Sequence, residues 1–287
     1  IGSLIGSAEA PMPFVHTEMV APESQPDYFN ADIMFIHTHP DDESIDFGGL
    51  IAMEARSGKR VVTVIFTDGT AGLDQYPNRR TGGIYPAHDL RGAALAGVRV
   101  REAEAALSIL GSREYVRLGL RNNPYDSIRE ILPLHEVLRR WGGESRVVGE
   151  LVRLIEGFRP RIIVSPDEHH RGVFKHFEHE AVGYVTDQAI RYLHAHGEDF
   201  VGAHLIGIDP MLTGQYQNVF GVNVMAVDPQ SGLTYRAIQV GALKEHVTQR
   251  DASVIGVEVV PNFADEYYVA RFWNLPTPIS EYFAPPR

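Results

Sequence analysis

The chain has 287 residues, 44% of them hydrophobic, and 37 Asp plus Glu against 26 Lys plus Arg give a net charge of −11. That is enough apolar material for a full α/β core, while the acidic balance argues against a phosphate backbone or an anionic lipid face as the main partner. Cysteine is absent, so disulfides, thiolate zinc fingers, iron–sulfur clusters and cysteine nucleophiles are excluded, and any metal must be held by His and carboxylate.

Residues 1–30 are rich in Pro, Ser, Gly and Ala without a sustained period, and are expected to form a tail or a strap over a single domain spanning 31–287. From Ile33 onward β-branched runs alternate with helical stretches, the pattern of a parallel sheet covered by helices. A strand is expected at 32–37, a helix at 46–58 ending at Ser57-Gly58, and a second strand at 60–66. The stretch 67–91 carries Asp68-Gly69, Tyr76-Pro77, Gly82-Gly83 and Tyr85-Pro86; it is too long for a simple connection and is expected to be a lid or binding loop. A helix at 97–110 ends on the C-cap signal Leu110-Gly111. Strands near 114–119 and 160–165 flank a polar loop, 121–143, and a helix at 145–157. A helix at 176–195, a less regular region at 200–230, a helix at 234–250 and a strand at 266–272 complete the chain, with no internal repeat. The expected fold is Rossmann-like: a doubly wound, mostly parallel sheet with helices on both faces and long lid loops at the C-terminal ends of the strands.

Two clusters of histidine and carboxylate follow two of these strands. The first is His37-Thr38-His39-Pro40-Asp41-Asp42-Glu43; the second is Asp167-Glu168-His169-His170 with His176-Phe177-Glu178-His179. If the strands 32–37 and 160–165 are neighbours at the point where the strand order reverses, both clusters meet in one crevice. A catalytic zinc ion needs three protein ligands and an open position for water, and His39, Asp42 and His179 would provide that set. Asp41 would then be free to take a proton from the water, and His176 and His179, three apart, share one helix face. Taken singly, His176 and His179 could be only a polar helix face, and Asp41-Asp42 only a helix N-cap. Two such clusters at the ends of separate strands are not explained that way.

Rival motifs are incomplete. His179-Glu180 and His135-Glu136 begin like a zincin motif, but Gly183 and Arg139 stand where the second His should be. The turn after the first strand has no Gly-x-Gly-x-x-Gly, and neither a Gly-x-Ser-x-Gly elbow nor a Walker A loop occurs.

His39-Pro40-Asp41-Asp42-Glu43 is identical to the first motif of the LmbE-like, or PIG-L, zinc-dependent N-deacetylases, and 176–183 resembles their second, which ends in Ala-Val-Gly. Arg99, Glu102 and Leu110-Gly111, the turn Thr67-Asp68-Gly69 and the late His246-Val247-Thr248-Gln249 are similar to further family patterns, so that the resemblance covers about 32–250. It implies that His39, Asp42 and His179 bind Zn²⁺, that Asp41 is the general base, and that His176 stabilises the oxyanion or acts as an acid. It also places Arg99 in the substrate pocket, with Asp68 and Phe174 as further substrate contacts. Phe177 and Glu178 replace Pro and Asp of the second motif, so the group that orients His176 is expected to be Glu178 or to come from elsewhere. A helix N-terminus favours neutral His, in tension with a charged His176, which Glu178 or Asp167 is expected to offset.

The implied reaction is removal of acetyl from an N-acetylglucosaminyl group of a small glycoconjugate. Tyr76, Tyr85, Tyr125 and Trp141 offer aromatic surface, and the loops resemble the glycopeptide-antibiotic branch of the family, which implies a pseudoaglycone substrate. A mycothiol-pathway deacetylase or amidase is the alternative, and a non-catalytic sugar- or metal-binding protein on the same fold is the second. No nucleic-acid partner and no integral membrane span are expected. The location is read as cytoplasmic, with the opening Ile compatible with a removed leader.

Overall fold

Ile33–His37 is buried at every position because it is an inner strand of an eight-stranded sheet with helices packed on both faces. In the computed structural model, which describes residues 15–16, 31–72, 90–123, 132–167, 176–249, 252 and 258–284, the strands are β1 (Val15–His16), β2 (Ile33–His37), β3 (Val61–Thr67), β4 (Glu114–Leu120), β5 (Ile162–Ser165), β6 (Ala203–Ile208), β7 (Val219–Asn223) and β8 (Asp265–Trp273). Their order is β1-β4-β3-β2-β5-β6-β8-β7. The first six run parallel; β8 pairs antiparallel with both β6 and β7.

The chain winds outward from β2 through β3 to β4, then crosses back to lay β5 on the other side of β2, in register Ile33 with Ile162 and Phe35 with Val164. The strand order therefore reverses between β2 and β5, the two strands that carry the His and carboxylate clusters. Alternation along β2 divides the core. Ile33 and Phe35 face α2 (Gly48–Arg56), α3 (Gly92–Leu110) and α7 (Tyr235–Leu243); Met34 and Ile36 face α4 (Leu134–Arg140), α5 (Glu144–Phe158) and α6 (Phe177–Ala195). A strand buried on both faces reads as a continuous apolar run.

Several expected elements shift. The helix expected at 46–58 is α2, and a separate short helix, α1 (Asp42–Asp46), precedes it, because Phe47, at φ −131°, leaves the helical path and is fully buried against Phe35. The orphan amides at the start of α2 are satisfied from a distance: the buried Glu266 carboxylate, near the start of β8, accepts from Gly49 N at 2.7 Å and Leu50 N at 2.9 Å. The helix at 97–110 begins earlier, at Gly92, and that at 234–250 stops at Leu243. The loop 121–143 contains α4, and the region 200–230 contains β6 and β7. In β6 the alternation is blurred by Ala203, His204 and Gly207, residues that do not announce a strand. A short final helix, α8 (Ile279–Tyr282), closes the described chain. Of residues 1–30 only Val15–His16 is described, pairing parallel with Glu114 and Tyr115. No helix of the described residues is long and apolar enough to cross a membrane.

His204, buried in β6 with Nε2 2.9 Å from Ser165 Oγ, is pushed down to about 4 by burial. It stays neutral in the fold while the unfolded chain takes up a proton below about 6.5. Its contribution is thus complete above pH 6.5 and is lost as pH falls toward 4, by an amount up to about 3 kcal/mol. Urea midpoints between pH 7 and 4.5 should show this slope, and His204→Leu should flatten it. An equal slope in the variant would assign it to other groups.

Candidate active site

The crevice is built where β2 and β5 end. β2 runs into the turn 38–41, which Thr67 at the end of β3 holds by donating its amide to Thr38 O at 3.0 Å. β5 is followed by Pro166-Asp167, and α6 opens with His176 as its N-cap, so that His179 stands in the first helical turn.

Three atoms meet there. His39 Nδ1 lies 3.3 Å from Asp42 Oδ2, His179 Nε2 lies 3.1 Å from the same oxygen, and the two histidine nitrogens are 3.3 Å apart. Ligand bonds of roughly 2.0–2.1 Å at tetrahedral angles would separate three donors by about 3.3 Å, so this triangle fits zinc. The donor set is also sound chemically: Asp42 Oδ2 is fixed by the His39 amide at 2.8 Å, and each histidine presents one ring nitrogen. A second possible grouping, His39, His176 and Glu178, uses the outer nitrogen of His39. That side is closed by a hydrogen bond, since His39 Nε2 donates to Glu178 Oε2 at 2.7 Å.

From sequence, Glu178 is one of two open sources of orientation for His176. Its carboxylate does not orient His176; it anchors His39 and also accepts from Asn122 Nδ2 at 2.6 Å, Asn123 N at 2.8 Å and Asn123 Nδ2 at 2.9 Å. Burial lowers the His39 pKa, but hydrogen bonds and charge from Asp42 and Glu178 outweigh it and raise it to about 10. Asp42, pushed up by burial, is drawn well below the usual carboxylate range by His179 and His39. A cation entering the triangle would replace the proton on His39.

His176 stacks on His179 at a 4.8 Å centroid distance and meets His39 edge-on at 4.7 Å. Its Nδ1 accepts from Glu178 N at 3.2 Å, capping α6. An Nδ1 that accepts carries no proton, which leaves the neutral ring with its proton on Nε2. Asp167, expected to help offset the helix N-terminus at His176, accepts from Tyr216 Oη at 2.5 Å and Arg271 Nη2 at 3.3 Å.

Asp41 adopts φ 131° and ψ −31°, a conformation rarely open to a residue with a side chain, and it is buried. Arg99, expected in the substrate pocket, lies beneath this turn, 3% exposed. It donates to Pro40 O at 2.7 Å, Asp41 Oδ1 at 3.2 Å and Gly69 O at 3.2 Å. The Asp68 carboxylate is held on both oxygens by Arg117, at 3.0 and 2.8 Å. Trp141 is no stacking surface: it is buried against Phe66 and donates Nε1 to Arg121 O. Phe174, His169, His170, Tyr76, Tyr85 and Tyr125 lie outside the described residues.

Sequence reasoning missed the Asn122-Asn123 pair and the partners of Glu43. Their signals were weak: two amides directly after β4, at the same end of the sheet, and a late histidine with no role. Glu43 accepts from His246 Nε2 at 2.8 Å and Ser44 Oγ at 2.8 Å on one oxygen, and from Asp41 N at 2.9 Å on the other.

His39, Asp42 and His179 form a triangle able to hold a metal ion at the switch point of a doubly wound fold, beside the Asp41 carboxylate and the histidine cap of α6. The family model described as PIG-L, GlcNAc-PI de-N-acetylase, matches residues 34–190, more than half of the chain, and the chain belongs to that family. A 1D-myo-inositol 2-acetamido-2-deoxy-alpha-D-glucopyranoside deacetylase of Mycobacterium leprae (strain Br4923) is 31% identical over 159 residues, 55% of this chain and 49% of that one. The chain spans about half the length of the curated relatives it matches. Among solved structures, the 4-carboxy-2-hydroxymuconate hydratase GalB of Pseudomonas putida KT2440 superposes with TM-score 0.57 at 14% identity, covering 88% of this chain and 99% of that one. A deacetylase of the teicoplanin biosynthesis pathway does so with TM-score 0.54 at 16% identity, covering 83% and 97%. At such identities the likeness is one of fold, and the hydratase illustrates that a fold alone does not fix a reaction.

The turn over Arg99 makes a specific demand on Gly69, which has φ 69° and whose added Cβ would strike the guanidinium. Gly58 has φ 89° with open space around it. Gly58→Ala should cost about 1 kcal/mol, from backbone strain alone, and Gly69→Ala about 2–4 kcal/mol, from strain plus collision. Equal losses in denaturant titration would show that Arg99 yields freely.

Proposed function

We propose that the chain is a zinc-dependent N-deacetylase that removes acetyl from an N-acetylglucosaminyl unit of a small glycoconjugate. The observation that carries this reading is the triangle of His39 Nδ1, Asp42 Oδ2 and His179 Nε2, with edges of 3.1–3.3 Å, in a chain of the PIG-L family. These three residues would hold the ion. When bound, zinc supplies a Lewis-acid centre and brings the pKa of a coordinated water to about 7.

The protein's own groups divide the remaining work. Asp41, in the same turn as two of the ligands, takes the proton of the attacking water as it adds to the acetamide carbonyl. His176 donates through Nε2–H to the carbonyl oxygen as negative charge grows there, a contribution worth about 3–4 kcal/mol for one such donor. It does so as a neutral ring, which removes the conflict with the helix N-terminus. The proton on Asp41 then passes to the departing nitrogen, and the amide becomes acetate and a free amine. Glu178 keeps the His39 ring aimed, and Arg99 and Asp68 act in holding the turns rather than in touching substrate.

Within this reading an inositol-linked N-acetylglucosaminyl substrate stands first, because it is the substrate in the name of the curated relative at 31% identity. An antibiotic pseudoaglycone stands second. With Trp141 in the core, what supports it is the fold likeness to the teicoplanin-pathway deacetylase. A binding protein without catalysis is disfavoured by the strained Asp41, since a binding site has no use for a carboxylate held at that cost.

Zinc-loaded protein should release acetate from N-acetylglucosaminyl inositol, and Asp41→Asn should lower kcat by about 10²–10⁴-fold while keeping its zinc. Absence of acetate release from every N-acetylglucosaminyl glycoside tried would sink the assignment. Glu178→Gln should weaken zinc binding by about 10–100-fold in competition with a chelator, and unchanged affinity would remove Glu178 from its supporting role.

A further inference from the structure

Asp41 is held from two sides. Arg99 reaches its carboxylate and the Pro40 carbonyl; on the other side its backbone amide donates to Glu43 Oε2 at 2.9 Å. That second hold is only as firm as Glu43. The Glu43 side chain is wholly buried, and its other oxygen is gripped by His246 Nε2 at 2.8 Å and Ser44 Oγ at 2.8 Å. His246 comes from the far end of the chain, in the turn that follows α7. There Thr248 is pinned by Glu102, which accepts from Thr248 N at 2.9 Å and Thr248 Oγ1 at 2.6 Å. Glu102 and Arg99 lie one turn apart on α3, so the same helix fixes the turn that carries His246 and the turn that carries Asp41.

This arrangement is a poor way to gain stability. A buried ion pair roughly breaks even against apolar residues of the same volume. His246 Nδ1, and His37 Nε2 nearby, are also buried with no hydrogen-bond partner among the described residues, an orphan group costing about 1–3 kcal/mol in general. What the pair does supply is direction: a charged acceptor, locked in rotation, facing the amide of the one residue in the site whose backbone is strained.

We propose that His246 is a positioning residue for Asp41, acting through Glu43 to hold the strained turn that presents the Asp41 carboxylate to the reaction. The proposal rests on reading Asp41 as the base. It predicts an effect on turnover rather than on substrate affinity, because neither His246 nor Glu43 is at the ligand triangle.

The test compares full-length zinc-loaded His246→Phe, which cannot donate, with His246→Gln, whose amide can still reach Glu43. His246→Phe should lose about 30–100-fold in kcat with KM within about twofold and one zinc retained per chain, and His246→Gln should recover most of that loss. The Asp41 amide should exchange with solvent at least tenfold faster in His246→Phe than in the parent, and close to the parent rate in His246→Gln. This exchange readout needs no substrate, so it decides the His246 role even if no glycoside is turned over and the deacetylase reading itself fails. Should His246→Phe not fold, Glu43→Gln, which keeps an acceptor for the Asp41 amide but loses the charge, takes its place with the same readouts and an intermediate loss of kcat. Unchanged exchange, a kcat within threefold of the parent, a loss shared equally by KM, or a His246→Gln no better than His246→Phe would each overturn the proposal.

Discussion

A carboxylate with no access to solvent holds this site together. Glu178, in the first turn of α6, accepts four hydrogen bonds, from the ring of His39, the side chains of Asn122 and Asn123 and the amide of Asn123. An ionised group buried without partners is very costly, so the requirement to satisfy it fixes several segments at once. The turn after β2, the residues after β4 and the start of α6 converge on this one carboxylate. Once they do, His39 has a single ring orientation, and its inner nitrogen faces Asp42 and His179.

The same economy governs protonation. His39 sits between two carboxylates, and its proton is stabilised by both. His176, one residue before the helix, is occupied differently: its Nδ1 accepts the Glu178 amide and caps α6. Two histidines 4.7 Å apart are thus set to different tasks by what touches their second nitrogen.

Much of this was legible in the sequence, and the limits are physical. The parallel sheet followed from β-branched runs, and the adjacency of β2 and β5, which the sequence left as a condition for the clusters to meet, is found in the fold. The motif 39–43 drew attention to the turn after β2 because its residues are contiguous in the chain. What could not be read was tertiary in origin. Phe47 separates α1 from α2 because it packs on Phe35, which periodicity within 46–58 does not reveal. Glu178 and His176 are two apart in the chain, yet the carboxylate serves a histidine 139 residues away. Trp141 looked like a loop aromatic because α4 is only seven residues long and leaves little periodic signal. Arg99 suggested a substrate contact because nothing in α3 says that its guanidinium finds three oxygens of the protein itself.

The late strand β8 runs against the others, which brings its first residues to the end of the sheet where the parallel strands finish. Glu266 is thereby delivered to the amides of Gly49 and Leu50, as α7 and the turn after it deliver Gln239 to Ser44 O and His246 to Glu43. All three lie beyond residue 190, where the family match stops. The two helices around the His-Pro-Asp-Asp-Glu motif are therefore moored by residues that lie outside the matched segment 34–190. Two chains that agree throughout the matched segment could differ in how tightly the turn after β2 is held, the difference being written in α7, the turn after it and β8.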